Sequence, residues 1–175
     1  MAMEFDPSLP AINETEVEHY CFGCGSQNPH GLLLRFRRCT GGGIWADFTP
    51  ARTHEGYLGM THGGILATIA DEAMSWAVTD GGDIGVTARM SLTFRRPARV
   101  GEALRAIGTV TQSRGRAIDA EALISTIEGD KIVAAASARF IRVTPDQARE
   151  WRDSYGAPDD ESVFGEAITR RSEMD

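Results

Sequence analysis

The chain has 175 residues, of which 42% are hydrophobic and 25% are charged, a size and composition typical of one globular domain. Its formal net charge of −7 argues against nucleic acid as the main partner. No apolar run approaches the roughly 20 residues of a membrane span, and residues 1–20 lack the basic-then-apolar pattern of a signal peptide. We therefore expect a cytoplasmic protein that binds neither nucleic acid nor a membrane.

Six strands and two helices are predicted along the chain. Residues 1–20, with two prolines and several acids, are predicted to form an N-terminal arm. A long helix is predicted over residues 62–80, where the sequence DGGD ends it. The predicted strands are residues 32–38, 44–50, 86–97, 103–113, 117–127 and 131–143. The main domain is therefore predicted over residues 21–144, followed by a C-terminal helix and a mobile tail over residues 145–175.

The order of these elements limits the fold. Two strands precede the long helix and four follow it. A single helix cannot cover both faces of a six-stranded sheet, whereas an antiparallel sheet wrapped around the helix buries it on all sides. Apolar residues occupy most of the circumference of the helix over residues 62–80, as such burial requires. We therefore predict an α+β fold with about six antiparallel strands around one central helix.

The chain has three cysteines, Cys21, Cys24 and Cys39, and an odd number in a reducing compartment argues against a disulfide framework. The sequence CFGCG contains a CxxC, which is half of a typical zinc site. No second CxxC follows, and His19, His30 and Cys39 do not complete a convincing ligand pattern. A packed turn is the favoured interpretation and zinc is the alternative, so we predict no metal site.

The long helix begins with His62, Gly63 and Gly64, although each glycine disfavours a helix by roughly 1 kcal/mol against alanine. A helix N-terminus presents unpaired backbone N–H groups and a partial positive charge, and glycine lets another molecule approach them closely. Such a terminus can stabilise the oxyanion that forms when an ester or thioester carbonyl is attacked. Alternatively, the two glycines only allow the helix to pack against the sheet.

Asp71 lies among apolar residues of the same helix, where an acid without a partner is seldom buried. We expect Asp71 to face inward, as a base or a nucleophile, and Glu72 to face solvent. The alternative is a structural pair between Asp71 and an arginine of the sheet. Asp71 lies nine positions after His62, and nine residues of helix span roughly 13 Å. Asp71 and Gly63 can therefore act on one substrate only in a two-fold dimer with antiparallel helices, which has two identical sites.

Three segments of the sequence resemble hotdog-fold acyl-CoA thioesterases, namely the phenylacetate-pathway thioesterases and the thioesterase superfamily members. HGGILATIADEAMSW resembles their signature of His-Gly-Gly, six residues and Asp. TARMSLTFRRPARVGE resembles the strand after the helix, and CFGCGSQNPHGLLLRF is similar to the N-terminal strand of one branch. The resemblance implies a hotdog fold and the hydrolysis of acyl-CoA to a carboxylic acid and CoA. It also implies a homodimer or a dimer of dimers, with no cofactor beyond the CoA of the substrate.

The resemblance implies roles for individual residues. Asp71 matches the general base or nucleophile. Gly63 matches the residue whose backbone N–H polarises the thioester carbonyl, and His62 matches the histidine before it. Thr87 falls where relatives carry Ser or Thr near the attacking water, and strict alternation places it on the polar side of its strand with Arg89.

Binding of CoA, a polyanion, to an acidic protein requires a local cluster of basic residues. The candidates are Arg95, Arg96, Arg99, Arg114 and Arg116. The resemblance supports the turn Arg114-Gly115-Arg116, which matches a turn that contacts CoA in relatives. Alternatively, some of these arginines are solvated charges that protect a strand edge.

The sequence departs from the family pattern at Gly56, where some relatives carry an asparagine that holds the water. His54 and Glu55 are the nearest polar substitutes, and we predict that they contribute to substrate binding together with Gly64. Two other functions fit the same fold. One is a hotdog dehydratase acting on hydroxyacyl thioesters, with His54 as the candidate catalytic histidine. The other is an acyl-CoA sensor without catalysis, which would have no need of a buried Asp71.

Overall fold

The structure, a computed structural model, describes residues 3–14 and 18–155, and it describes side chains up to residue 151. The mobile tail predicted near the C-terminus lies outside these residues. In chain order the strands and helices are β1 (Arg37–Arg38), β2 (Ile44–Phe48), a 3₁₀ turn (Arg52–His54), α1 (Gly63–Asp80), β3 (Gly85–Phe94), β4 (Leu104–Arg114), β5 (Ala117–Thr126), β6 (Ile132–Arg142) and α2 (Pro145–Tyr155).

The six strands form one antiparallel sheet in the order β1-β2-β4-β5-β6-β3. Helix α1 contacts β2 to β6 and buries its apolar side chains against their inner face. The predicted α+β architecture is therefore confirmed, with the helix beginning at Gly63 rather than at His62. Neither helix of the described residues combines the length and the hydropathy that crossing a membrane requires.

Helix α1 approaches the sheet very closely at Gly108 of β4. A Cβ atom on this glycine would lie 2.1 Å from the backbone oxygen of Ala73, a distance that no side chain tolerates. Ala70, Ala73 and Ala77 share one face of the helix and are all buried. Small residues on both elements therefore let the helix backbone rest directly on the strand.

The strand predicted over residues 32–38 is wrong for most of its length, because only its last two residues pair with β2. The earlier residues form hydrogen bonds with a different part of the chain. Leu32 donates its N–H to the oxygen of Phe22 at 2.8 Å, and Leu34 donates to the oxygen of Gly23 at 3.0 Å. The segment that contains the CxxC is thereby held alongside this stretch of chain.

Among the described residues, strand β3 is a ten-residue edge strand, paired with β6 on one side only. Its exposed apolar residues include Val86, exposed by 46%, and Phe94, exposed by 53%. A long edge strand with exposed apolar side chains is a template for pairing with another chain. The opposite edge offers much less, because β1 has only two residues.

Candidate active site

Within the described part of the chain, the first turn of α1 leaves one backbone amide without a partner. His62 caps the helix, and its Nδ1 accepts the N–H of Gly64 at 2.9 Å. The N–H of Gly63 has no acceptor among the described residues. A Cβ on Gly63 would lie 3.2 Å from Cζ of Phe94, so this amide lies beside the last residue of β3. The free N–H and the positive end of the helix dipole together form a donor site for an anionic oxygen.

The second polar group is a pair formed by Asp71 and Thr87. The Thr87 hydroxyl donates to Oδ1 of Asp71 at 2.8 Å. Asp71 is half-buried and Thr87 is exposed, so the pair is open to solvent on one side. A carboxylate has two oxygens, and a hydroxyl that donates one bond still accepts others. The pair can therefore accept hydrogen bonds from a water molecule. The lone pair of that water then points away from the carboxylate.

A β-bulge places Thr87 on the side of the sheet that faces α1. The pairing of β3 with β6 shifts between Thr87 and Arg89 and leaves Ala88 without a partner. Thr87 consequently lies opposite the buried Phe140, while beyond the bulge Met90 takes the inner side. The prediction that Thr87 shares a face with Arg89 is therefore wrong, because strict alternation assumes an unbroken ladder.

The expected orientation of Glu72 is also wrong. Its side chain lies under the segment of the CxxC, where a Cβ on Gly23 would be 2.2 Å from Cγ of Glu72. Burial is the main cause that raises the pKa of Glu72 to about 8, and the neighbouring Cys21 adds to it. Asp71 and Glu72 therefore point to different environments. Asp71 lies on an open side beside β3, and Glu72 is enclosed by the segment that precedes α1 in the chain.

The thiols of Cys21 and Cys24 lie next to this carboxylate. Cys21 Sγ is 3.3 Å from Oε1 of Glu72, and Cys24 is buried. A hydrogen bond between the two thiols is the largest cause that lowers the pKa of Cys21, and the same bond, together with burial, raises the pKa of Cys24. Both cysteines are free in this structure, as is Cys39, which lies apart beside the glycines of residues 41–43.

The loop before α1 uses the polar groups of His54 and Glu55 internally. His54 Nδ1 accepts the N–H of Ala51 at 3.0 Å, and its ring lies 5.2 Å from that of Phe48, where burial lowers its pKa. The Glu55 carboxylate accepts the N–H of Gly59 within the same loop. The structure therefore does not bring either side chain to Asp71.

Gly56 lies against the residue that caps the helix. A Cβ at this position would be 3.1 Å from Cα of His62 and 3.2 Å from its Cδ2. An asparagine would therefore require His62 to move. The tight fit against His62 therefore favours a small residue at this position.

The arginines predicted to bind substrate fall into two groups at opposite ends of α1. Arg95 and Arg96 directly follow Phe94, near Gly63, and Arg96 pairs with Glu102 at 3.2 Å. The turn at residues 114–116 joins β4 to β5 and is exposed.

Arg142 holds this turn near the other end of the helix. It donates to the oxygen of Gly115 and pairs with Asp83, three residues beyond α1, at 2.6 Å. The 18 residues of α1 span roughly 27 Å. One chain therefore does not bring the two basic groups together.

Comparison with known proteins supports the family resemblance that the sequence shows. Residues 58–133 match the sequence model of the thioesterase superfamily. The resemblance to hotdog-fold thioesterases is confirmed. The matched segment includes Gly63, Asp71 and Thr87, whereas the cysteine turn precedes it. No curated protein matches the chain by sequence.

Three solved structures have the same fold as this chain. Zebra fish thioesterase superfamily member 2 has 19% identity and a TM-score of 0.61, over 69% of this chain and 90% of its own. An E. coli protein from the phenylacetic acid degradation operon has 22% identity and a TM-score of 0.60, over 65% and 81%. A hypothetical thioesterase protein of Streptococcus pneumoniae, solved with coenzyme A, has 19% identity and a TM-score of 0.59, over 63% and 88%. Two further structures of that protein carry alanine in place of an aspartate and of a threonine sixteen positions later.

Proposed function

We propose that the protein hydrolyses acyl-CoA thioesters to a carboxylic acid and CoA, in sites that two copies of the chain share. The observation that carries this proposal is the bond of 2.8 Å between the Thr87 hydroxyl and the Asp71 carboxylate, beside an unpaired strand edge. Asp71 and Thr87 are sixteen positions apart, the same separation as the aspartate and threonine replaced in the Streptococcus pneumoniae protein.

The geometry suits a mechanism in which Asp71 is the general base. Thr87 fixes one carboxylate oxygen, so the other is directed at a water molecule, whose proton Asp71 takes. The hydroxide attacks the thioester carbonyl carbon, and the carbonyl oxygen becomes an oxyanion bonded to the N–H of Gly63. The intermediate then collapses, the C–S bond breaks, and the CoA thiolate leaves and is protonated.

A nucleophilic role of Asp71 is a distinct route to the same products. Asp71 then attacks the carbonyl carbon, expels the CoA thiolate and forms an anhydride that water hydrolyses. A single turnover in ¹⁸O-labelled water separates the two routes. The base mechanism puts the label in the acid product, whereas attack of water on the aspartyl carbonyl puts it in Asp71, where peptide mass spectrometry detects it.

The two ends of β3 explain why two copies are needed. Asp71 lies beside Thr87, near the start of the strand, and Gly63 lies beside Phe94, at its end. If the exposed edges of two β3 strands pair antiparallel, the end of each strand meets the start of the other. The Gly63 amide of one copy then faces the Asp71–Thr87 pair of the second copy, and this happens twice.

The same pairing unites the two basic groups. The 114–116 turn lies near the start of β3, because Arg142 joins it to Asp83, and Arg95 and Arg96 lie near its end. Antiparallel pairing brings the turn of one copy toward Arg95 and Arg96 of the other. Guanidinium groups bind phosphates in bidentate fashion, so this arrangement suits the phosphates of CoA.

The dehydratase alternative has less support in the structure. It requires a histidine placed against an acid, and His54 Nδ1 accepts the Ala51 amide while its ring packs on Phe48. The sensor alternative requires no base, yet Asp71 has an open side and a hydroxyl partner that orients it.

The proposal is tested with acyl-CoAs of short, medium and long chains and with aryl-CoAs, assayed for the wild type, Asp71→Asn and Asp80→Asn. Loss of thioester absorbance is the readout, because a thiol reagent would also react with Cys21. We expect Asp71→Asn to lower kcat by about 10²–10⁴-fold on the preferred substrate, since the amide is not a base.

Asp80→Asn is the matched control, because it is the same change on the same helix and only removes a surface pair with Arg38. It should hydrolyse acyl-CoA at the wild-type rate. A wild type that hydrolyses none of the panel, or a folded Asp71→Asn protein with normal turnover, would contradict the proposal.

A further inference from the structure

The turn at residues 21–25 forms a compact loop that no part of the hydrolysis mechanism uses. The N–H of Gly25 donates to the oxygen of Cys21 at 2.8 Å and closes the turn. A Cβ on Gly25 would lie 2.5 Å from the nitrogen of Cys21, so only glycine fits there. The turn therefore brings both cysteine side chains to the same side, toward α1.

Helix α1 contributes a third donor to this pair. Cys21 Sγ, Cys24 Sγ and a carboxylate oxygen of Glu72 lie within 4.8 Å of one another. Cys21 Sγ and Glu72 Oε1 are 3.3 Å apart. Gly23 has no side chain to keep the turn away, since a Cβ there would collide with Glu72.

These distances suit one tetrahedral zinc ion. With Zn–S distances of about 2.3 Å and Zn–O distances of about 2.0–2.2 Å, donors around a common ion are roughly 3.5–3.8 Å apart. The 3.3 Å between Cys21 Sγ and Glu72 Oε1 is close to this spacing, and no two of the three donors are more than 4.8 Å apart. Thiolate and carboxylate groups are ordinary zinc ligands, and three of them leave one position for water.

The chemistry of the cluster also favours a cation. Three donors that bind as anions repel one another in a half-buried position, and a divalent cation offsets this repulsion. Arg35 does not serve this purpose, because its guanidinium donates to the backbone oxygen of Cys24 at 2.9 Å. His19 lies beside the turn, but its Nδ1 accepts the N–H of Cys21.

We propose that Cys21, Cys24 and Glu72 bind a Zn²⁺ ion, which fastens the N-terminal segment to α1. The sequence alone favoured a packed turn because it shows only two of the ligands. The third comes from a helix some fifty residues later, next to Asp71. The site is independent of the proposed hydrolysis, so the two proposals can fail separately.

The wild type is tested first. Protein purified under reducing, anaerobic conditions should contain about one zinc per chain, measured by mass spectrometry of the metal. Removal of zinc with a chelator should lower the Tm, and added zinc should restore it. Cobalt in place of zinc should give the intense visible bands of a tetrahedral site and a sulfur-to-cobalt charge-transfer band in the ultraviolet.

Variants identify the ligands. Cys21→Ser and Cys24→Ser should each abolish the charge-transfer band of a two-thiolate site. Each should also lower the zinc affinity by at least about 100-fold, and Glu72→Gln should lower the zinc affinity by about 10–100-fold. Cys39→Ser is the matched control, since Cys39 is a free, buried cysteine that contacts Gly42 instead. It should keep the zinc content and the cobalt spectrum of the wild type.

Three results would overturn the proposal. In the first, reduced wild-type protein takes up no zinc or cobalt, a result that does not depend on the folding of any variant. In the second, the spectrum shows no sulfur ligand, which would indicate an adventitious ion. In the third, Cys21 and Cys24 form a disulfide under the same reducing conditions, which would make the pair a redox centre instead.

Discussion

Two neighbouring carboxylates on α1 serve two very different regions of the molecule. Asp71 lies on the side of β3, where its one described partner is the Thr87 hydroxyl and solvent reaches the pair. Glu72 lies on the side of the N-terminal segment, against Cys21 and under Gly23. Consecutive residues of a helix point about 100° apart, so one turn of α1 places two acids in two environments.

The difference shows how surroundings, rather than residue type, determine what an acid can do. The open side of Asp71 allows water and substrate to reach a carboxylate that a hydroxyl orients. Enclosure of Glu72 excludes a substrate of the size of acyl-CoA and holds its carboxylate against two thiols. Each side can therefore be altered without the other. Two experiments below alter the Asp71 side, and a third alters the contact between α1 and the sheet that supports both sides.

The largest effect should come from a mixture of two inactive variants. Asp71→Asn removes the base, and Gly63→Pro removes the amide donor. In a heterodimer, one shared site has both defects and the other has neither. We expect co-expression with two affinity tags to yield heterodimers with about half of the wild-type activity, starting from parents reduced by about 10²-fold or more.

Far-UV circular dichroism of Gly63→Pro is the control for this experiment, because proline is tolerated at the first position of a helix. Folded heterodimers that remain inactive would exclude the shared site. An active monomer, detected by light scattering during the assay, would exclude it as well.

A smaller effect is expected for Thr87→Ala. The variant loses the hydroxyl that orients Asp71 but keeps the base, so kcat should fall by about 10–100-fold. Thr87→Ser keeps the hydroxyl and should recover most of this loss. Thr93→Ala, on the outer face of the same strand, is the matched control and should retain full activity. Equal rates for Thr87→Ala and the wild type would make Thr87 a structural residue of the sheet.

The smallest effect concerns stability and tests what holds the two sides of α1 in place. Gly108→Ala introduces a Cβ 2.1 Å from the oxygen of Ala73, so helix and strand must separate. We expect the free energy of unfolding in urea to fall by about 1–3 kcal/mol. Gly81→Ala, after the helix at φ −74°, is the control and should change it by less than about 0.5 kcal/mol. If Gly108→Ala is as stable as the wild type, the close contact is not essential.

Much of the fold follows from local patterns in the sequence. The apolar residues of α1, its glycine-rich ends and the alternation in β3 to β6 each reflect nearby residues, and the structure has these elements within a few positions of the prediction. Gly63 and Asp71 could be identified because a helix terminus and an acid among apolar residues are local features, whereas Thr87 was identified through the family resemblance. Their roles remain predictions.

Two features of the site depend on contacts distant in sequence and could not be predicted. The face of Thr87 is set by the bulge at Ala88, which exists only in the pairing of β3 with β6. The environment of Glu72 is set by the turn around Gly23. Because α1 is apolar around most of its circumference, its periodicity does not distinguish the side toward β3 from the side toward the cysteines.

The position of β3 in the sheet has a consequence for synthesis on the ribosome. Strands β4, β5 and β6 pair in the order in which they are made, whereas β3 is made before all three and pairs only with β6, the last. At roughly 5–20 residues per second, β3 waits a few seconds for its neighbour after it has been translated. During that time both of its edges are open, so the nascent chain presents a strand with exposed Val86 and Phe94 to any other nascent chain nearby.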